Sequence, residues 1–220
     1  MSGARILVAD DHPLTREGLS LAARAALPGA QVIGVGSIAE AAAVMAGRRA
    51  FRLVLLDFRL PDSHGYAGML QLQQLDPEVP IAIVTAYEEL RLSEAARALG
   101  AAAFISKSLP LDAITAILRR VLGGATHFPE GTGPDRTIAA ARERIRDLSR
   151  AQYAVLLALA DGRANKVIAH DLSITEATVK AHLTAVFRKL GVTNRSQALL
   201  AIRPLLQLDP RPSDLAPVDP

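Results

Sequence analysis

Between Arg5 and Leu122, short aliphatic runs alternate five times with helix-length segments, and few folds accept that rhythm. The runs are Arg5–Ala9, Gln31–Val35, Leu53–Leu56, Ile81–Thr85 and Ala102–Ser106. Between and after them lie Leu14–Leu27, Ile38–Gly47, Tyr66–Leu75, Leu90–Leu99 and Leu111–Leu122, which read as helices. Continuous aliphatic strands are buried on both faces, and strand–helix alternation makes neighbouring strands parallel. The expected class is therefore α/β, a doubly wound five-stranded parallel sheet.

The pattern changes after Leu122. Residues 123–135 hold four Gly and two Pro without periodicity, which marks a linker. Helical segments follow at Ile138–Asp147, Ala151–Ala160, Ala164–Asp171, Glu176–Leu190 and Ser196–Ile202, so a second, smaller all-α unit is expected. From Pro204 onward, five prolines in 17 residues predict a disordered tail. At 220 residues, two compact units is the natural division. The boundaries expected are 1–123 for the first unit, 124–147 for the linker, 148–203 for the second unit and 204–220 for the tail.

Charge separates the units more sharply than the net value of +3 implies. Residues 1–125 carry 12 Lys/Arg and 12 Asp/Glu, whereas 136–203 carry 12 against 5. A neutral unit joined to a basic one is the asymmetry expected if only the second meets a polyanion. No cysteine is present, which excludes disulfides and thiolate metal sites. No charge-free apolar run approaches the roughly 20 residues of a membrane helix, and the first residues carry no basic-then-apolar leader. A soluble, cytoplasmic protein without a membrane partner is expected.

In a parallel α/β sheet, reactive groups gather at the carboxyl ends of the strands. The first run ends in Asp10-Asp11, the third in Asp57, the fourth in Thr85, and Lys107 follows the fifth. One acid after a strand is commonly a helix cap; five such residues at the ends of four strands form a constellation. Three clustered carboxylates repel one another and need a cation, and Mg²⁺ takes carboxylate and phosphate oxygens. A carboxylate beside that ion can attack a phosphoryl group, with Lys107 neutralising developing charge and Thr85 hydrogen-bonding an oxygen.

These residues carry a resemblance. Asp10-Asp11, Leu53-Val-Leu-Leu-Asp57-Phe-Arg-Leu-Pro61 with Gly65, Thr85-Ala86 and Phe104-Ile-Ser-Lys107 make residues 4–122 similar to the flavodoxin-like receiver domain of two-component response regulators. The resemblance implies that Asp57 is the phosphoacceptor. It implies that Asp10, Asp11, Asp57 and the Arg59 backbone carbonyl hold Mg²⁺. Thr85 and Phe104 would be the switch pair, the ring rotating inward as the hydroxyl moves to the phosphoryl group. Ser108 stands where many receivers carry Pro, which leaves the peptide geometry after Lys107 open.

One motif competes. Gly34-Val-Gly36-Ser-Ile-Ala39 fits a dinucleotide-binding fingerprint, with Asp57 about 20 residues on. It follows the second strand, however, where Ser37 and Glu40 read as a capping box. His12 and His64 read as loop residues rather than ligands.

In the basic unit, Ala164–Leu172, a turn at Ser173–Thr175 and a helix to Leu190 form two helices joined by a short turn. Val179, Leu183, Val186, Phe187 and Leu190 make the apolar stripe, so Lys180, Ala181 and Thr184 point elsewhere, with Arg188 farther along. A small, polar, basic outer face suits the major groove. Leu148-Ser149, Asn165-Lys166-x-Ile-Ala169, Thr178-Val179-Lys180-x-His182 and Lys189-Leu-Gly-Val-x-Asn194-Arg195 resemble the NarL/LuxR-type helix-turn-helix domain. That resemblance implies base-edge reading by Lys180, Ala181 and Thr184. Lys166, Thr178, His182 and Arg195 would touch phosphates or hold the fold. Ala151-Gln152 replaces the Arg-Glu usual in the family, and Val167 stands where an acid is common, so a supporting polar or ionic contact is expected to be absent or replaced.

The order receiver, linker, helix-turn-helix is similar to NarL/FixJ-type response regulators. It implies a sensor histidine kinase as partner, homodimers at least when phosphorylated, and paired half-sites on DNA. Such a chain is not a turnover enzyme; it catalyses at most its own phosphorylation and dephosphorylation. Two rivals stand beside this reading. A phosphohydrolase would want a second acid two residues after Asp57, where Arg59 stands. A phosphorylation-independent DNA-binding regulator would use the receiver for dimerisation alone.

Overall fold

The computed structural model describes residues 3–47, 50–63 and 65–206. Five strands, β1 (Arg5–Ala9), β2 (Gln31–Val35), β3 (Leu53–Asp57), β4 (Ile81–Thr85) and β5 (Ala103–Ser106), alternate with α1 (Pro13–Ala26), α2 (Ile38–Ala46), α3 (Ala67–Leu75), α4 (Leu90–Ala98) and α5 (Leu111–Leu122). Every strand pair is parallel, in the order β2-β1-β3-β4-β5. The class expected from the aliphatic runs is the one observed.

Strand alternation divides the core into two layers. Ile6, Val8, Leu53, Leu55, Ala82, Val84 and Ile105 face α1 and α5. Leu7, Ala9, Val54, Leu56, Ile81, Ile83 and Phe104 face the side of α2, α3 and α4. All residues of β1, β3 and β4 are buried, whereas the edge strand β2 is largely open. Because β2 and β3 flank β1 on opposite sides, the carboxyl ends of β1 and β3 border the crevice where chain direction across the sheet reverses.

Five more helices follow: α6 (Arg136–Arg146), α7 (Arg150–Ala160), α8 (Asn165–Asp171), α9 (Glu176–Leu190) and α10 (Arg195–Leu206). Local chemistry sets their ends. Asp135 accepts from the Thr137 and Ile138 amides to start α6. Ser149 and Gln152 form a reciprocal capping box on α7. Thr175 caps α9, and Gly191 ends it at φ 68°, a left-handed position that favours glycine.

Two expectations shift. The helix expected at Ile138–Asp147 is α6, whose Ile138, Ala141 and Ile145 are buried, so nearly half of the segment 124–147, assigned to the linker, is a packed helix. It packs against α4 and α10, and α7 packs against α3, which joins the second unit to the α3–α4 side of the sheet. Arg150 tightens that junction by donating to the Gln74 and Leu75 carbonyls at the end of α3, each at 3.1 Å. At the other boundary, α10 runs through position 204 to Leu206, three residues into the expected tail. Residues 207–220 and His64 lie outside the described residues.

Candidate functional site

The topology delivers the acids to one place. Asp10 and Asp11 leave the end of β1, Asp57 ends the adjacent β3, and ligand atoms of Asp10, Asp11, His12 and Asp57 lie within 4.8 Å of one another. Lys107, arriving from β5, lies 2.6 Å from Asp57 Oδ2 and 2.8 Å from Asp10 Oδ2. The lysine is placed by its own backbone, whose N–H donates to the Thr85 carbonyl at 2.7 Å.

Burial makes these charges matter. The Asp10 side chain is fully buried and that of Asp57 nearly so, while Asp11 is 37% exposed. Burial pushes the Asp57 carboxyl above the usual carboxylate range, against the pull of Lys107. For Lys107, burial disfavours the charge, but Asp10 and Asp57 outweigh it, so its pKa lies above the ordinary lysine value. One ammonium pairs with two buried carboxylates, and the Asp11 carboxylate lies in the same cluster. Asp10 Oδ2 pairs with it at 2.8 Å and has no other donor among the described residues.

Buried carboxylate oxygens that share a single ammonium are the feature a divalent cation would satisfy. The set is rich in oxygen and compact, as Mg²⁺ requires. His12 belongs to the cluster rather than to a detached loop; its Nδ1 lies 2.8 Å from Asp11 Oδ1, and its amide donates to Asp10 Oδ1. Asp57 Oδ1 accepts from the Arg59 amide at 3.2 Å, which folds the chain so that Arg59 follows the acid closely.

Thr85 is buried, and its hydroxyl oxygen accepts from the Tyr87 amide at 3.1 Å, which leaves its proton to give. Phe104 is only 3% exposed, so its ring already occupies an inward position. Among the described residues no peptide bond is cis, so the Lys107–Ser108 bond is trans. Ser106 and Ser108 both donate to Glu88 Oε1, at 2.5 and 2.8 Å, and so tie the loop after β5 to the loop after β4. Glu88 was not legible in the sequence, because nothing in the spacing of 88, 106 and 108 reveals that two loops meet. The same holds for Tyr87, which accepts from Arg59 Nη1 at 2.8 Å.

The dinucleotide motif finds no phosphate seat. The first amides of α2, at Ile38 and Ala39, both donate to the Asp62 carboxylate at 2.9 Å. An acid already occupies the position a pyrophosphate would take. Ser37 caps the helix as expected, but Glu40 reaches back to the Gly36 amide rather than to Ser37.

In the second unit, Val179, Leu183, Val186 and Leu190 bury one side of α9. Lys180, Ala181, Thr184 and Arg188 are exposed on the helix, and Lys166 is exposed on α8; Thr178 and His182 are half-buried. Arg195 instead donates to the Leu159 and Arg163 carbonyls, closing the end of α7. Near the departure at Ala151-Gln152, Gln152 Oε1 accepts from Lys189 Nζ at 2.8 Å while also capping α7, and the same ammonium donates to the Asp147 carbonyl.

An acid pocket at the switch point of a five-stranded parallel sheet, joined to a basic helix-turn-helix unit, defines a response regulator. The chain matches the family models "Response regulator receiver domain" over residues 6–119 and "Bacterial regulatory proteins, luxR family" over 146–202, and it belongs to that family. It is 35% identical over 207 residues to the glycerol metabolism activator of Pseudomonas putida, covering 90% of this chain and 94% of that protein. A LuxR family DNA-binding response regulator from Silicibacter pomeroyi superposes with a TM-score of 0.51 at 28% identity, over 58% of this chain and 98% of that one. The RcsB response regulator of Salmonella typhimurium shares the fold, with a TM-score of 0.51 at 19% identity, over 92% of this chain and 99% of that one. Among the described residues, no helix is long and apolar enough to cross a membrane.

Proposed function

We propose that Asp57 accepts a phosphoryl group from a sensor histidine kinase and that this event controls DNA binding and transcription. The observation that carries the reading is Lys107 Nζ, held within 2.8 Å of both Asp57 and Asp10 in a largely buried pocket. In the transfer, an Asp57 oxygen attacks phosphorus and the P–N bond of the donor phosphohistidine breaks. The leaving imidazole takes up a proton, and an acyl phosphate remains on Asp57.

Mg²⁺ held by Asp10, Asp11, Asp57 and the Arg59 carbonyl would supply charge neutralisation for the phosphoryl oxygens. Lys107 already bridges Asp10 and Asp57, so it needs only a small shift to pair with the new phosphate. Thr85 has its proton free to donate to a phosphoryl oxygen. Phe104, as its partner in the switch, starts from a buried ring. Residues 1–123 form the receiver in this reading, 148–203 the DNA-binding unit and 124–147 the connection, and homodimers would place two copies of α9 on paired half-sites.

On DNA, Lys180, Ala181 and Thr184 would read base edges from the exposed face of α9. Lys166, Thr178, His182 and Arg188 would contact phosphates, while Arg195 supports the unit from beneath. The same exposure favours a second reading, phosphorylation-independent DNA binding with the receiver as a dimerisation module, since nothing described covers Lys180, Ala181 or Thr184.

Intact mass after incubation with acetyl phosphate, with and without Mg²⁺, tests the first reading. A Mg²⁺-dependent gain of one phosphoryl group, lost in Asp57→Ala, is expected. Uptake that survives Asp57→Ala would overturn the assignment. Equal DNA affinity of both forms would establish the second reading instead.

A further inference from the structure

The segment between the two units is not slack chain. β5 is the outer strand of the sheet on its side, so its free edge exposes polar backbone. His127 pairs there in parallel, its carbonyl accepting from the Phe104 amide at 2.8 Å and its amide donating to the Ala102 carbonyl at 3.1 Å. Phe104 is buried, and a buried amide requires a partner. That partner comes from the connecting segment.

The segment is then fastened to α4. The Arg97 guanidinium lies over the Phe128 ring at 4.7 Å and donates to the Thr132 carbonyl at 2.7 Å. Thr132 is buried, and its hydroxyl lies 3.0 Å from that of Ser93, which is fully buried on α4. Two residues of α4, one turn apart, thus hold a stretch of chain against the sheet edge. Beyond Thr132, Asp135 starts α6, which lies along α4 and sets Arg142 against Gly100. A β-carbon at Gly100 would fall 2.5 Å from that guanidinium, and its φ of +77° also demands glycine.

We propose that residues Ala125–Thr132 are a releasable strap on the α4–β5 face, whose detachment carries the state of the Asp57 pocket to α6 and the helix-turn-helix unit. The path is short. Thr85 Oγ1 accepts from the Tyr87 amide, in the loop that leads directly into α4. Drawing the hydroxyl toward Asp57 breaks that bond and frees the loop. Ser93 and Arg97, on the helix that follows, are the strap's two anchors. On the other side, Phe104 supplies the amide that pairs with His127. A pull at either place loosens the same eight residues. The phosphorylation reading enters only as the trigger; the strap itself is a property of the fold.

Hydrogen exchange on the full chain tests it, with intact mass recording phosphoryl incorporation from acetyl phosphate and Mg²⁺ in the same sample. In phosphorylated protein, the amides of Phe104 and of residues 125–132 should exchange about tenfold faster, close to 1.4 kcal/mol of lost protection. Incorporation without a change in their protection overturns the strap as the relay. If mass shows no incorporation, the trigger has failed and the strap is read from Arg97→Ala and Thr132→Val without any donor. Both variants should speed exchange in 125–132 and in α6 together. Faster exchange in 125–132 with α6 still fully protected overturns its role as the tether. Circular dichroism of the variants, matched to wild type, separates release from misfolding.

Discussion

The pocket around Asp57 and the outer face of α9 place polar groups in opposite ways. In the pocket, residues from β1, β3, β4 and β5 converge until carboxylates and an ammonium lie within hydrogen-bonding distance in a largely buried setting. On α9, Lys180, Ala181 and Thr184 come from one helix and stand in solvent; the Thr184 hydroxyl merely donates to the Lys180 carbonyl in its own helix. Chemistry on a bound group needs charges concentrated in low dielectric, whereas groove recognition needs side chains left free for a partner. In the proposed reading, one surface has its charges assembled before a ligand arrives, and the other would become a site only against DNA.

That contrast predicts unequal losses. Lys107→Ala removes the pocket's ammonium and leaves buried Asp10 and Asp57 facing each other. The rate of phosphorylation from acetyl phosphate should fall about 10²-fold, and dependence on Mg²⁺ should steepen because the ammonium that pairs with both buried carboxylates is gone. DNA binding by the unphosphorylated variant should match wild type. A phosphorylation rate within twofold of wild type would show that the pocket does not act through this contact.

Lys180→Ala should do the reverse. Loss of a base-edge contact costs about 1–3 kcal/mol and blurs sequence preference at one position. Loss of a phosphate contact would instead weaken all duplexes alike and reduce the salt slope by about 1. A titration of specific and scrambled duplexes at several salt concentrations distinguishes these two roles. Phosphoryl uptake should be unaltered. A variant that keeps full affinity in both titrations would remove Lys180 from the interface.

The same contrast explains what the sequence made legible. Continuous aliphatic runs have one strong solution, so the parallel sheet and the strand ends that carry its acids could be placed from Leu53–Asp57, Ile81–Thr85 and their neighbours. The α9 stripe was equally plain in its spacing. Contacts between separate loops carry no such signal. Asp62 capping α2, Glu88 joining Ser106 to Ser108, and the pairing of His127 with β5 each depend on how loops meet in space. Gly and Pro at 123–135 led to the expectation of a linker, but composition says nothing about a sheet edge waiting for one more partner. Likewise, the bond between Gln152 and Lys189 spans 37 residues, and only the folded chain shows it.

Tyr153 belongs to neither pattern and gives the smallest test. It lies where α7 meets α3, among Ala67, Leu70, Ile145 and Ile202, and its hydroxyl is buried without a hydrogen-bond partner among the described residues. Burial also pushes its phenol pKa up. An unsatisfied hydroxyl costs about 1–3 kcal/mol, so the junction between the units carries a penalty that separation would relieve by hydration. Tyr153→Phe deletes that penalty and keeps the ring. Stability should rise by about 1 kcal/mol, seen as an increase of about 2–4 °C in Tm for a chain of this size. The gain should appear in the intact protein, where α3 and α7 are in contact, while the phosphorylation rate at Asp57 stays that of wild type. A fall in Tm would mean that the hydroxyl is satisfied in solution, and that the junction is as fully paired as the pocket.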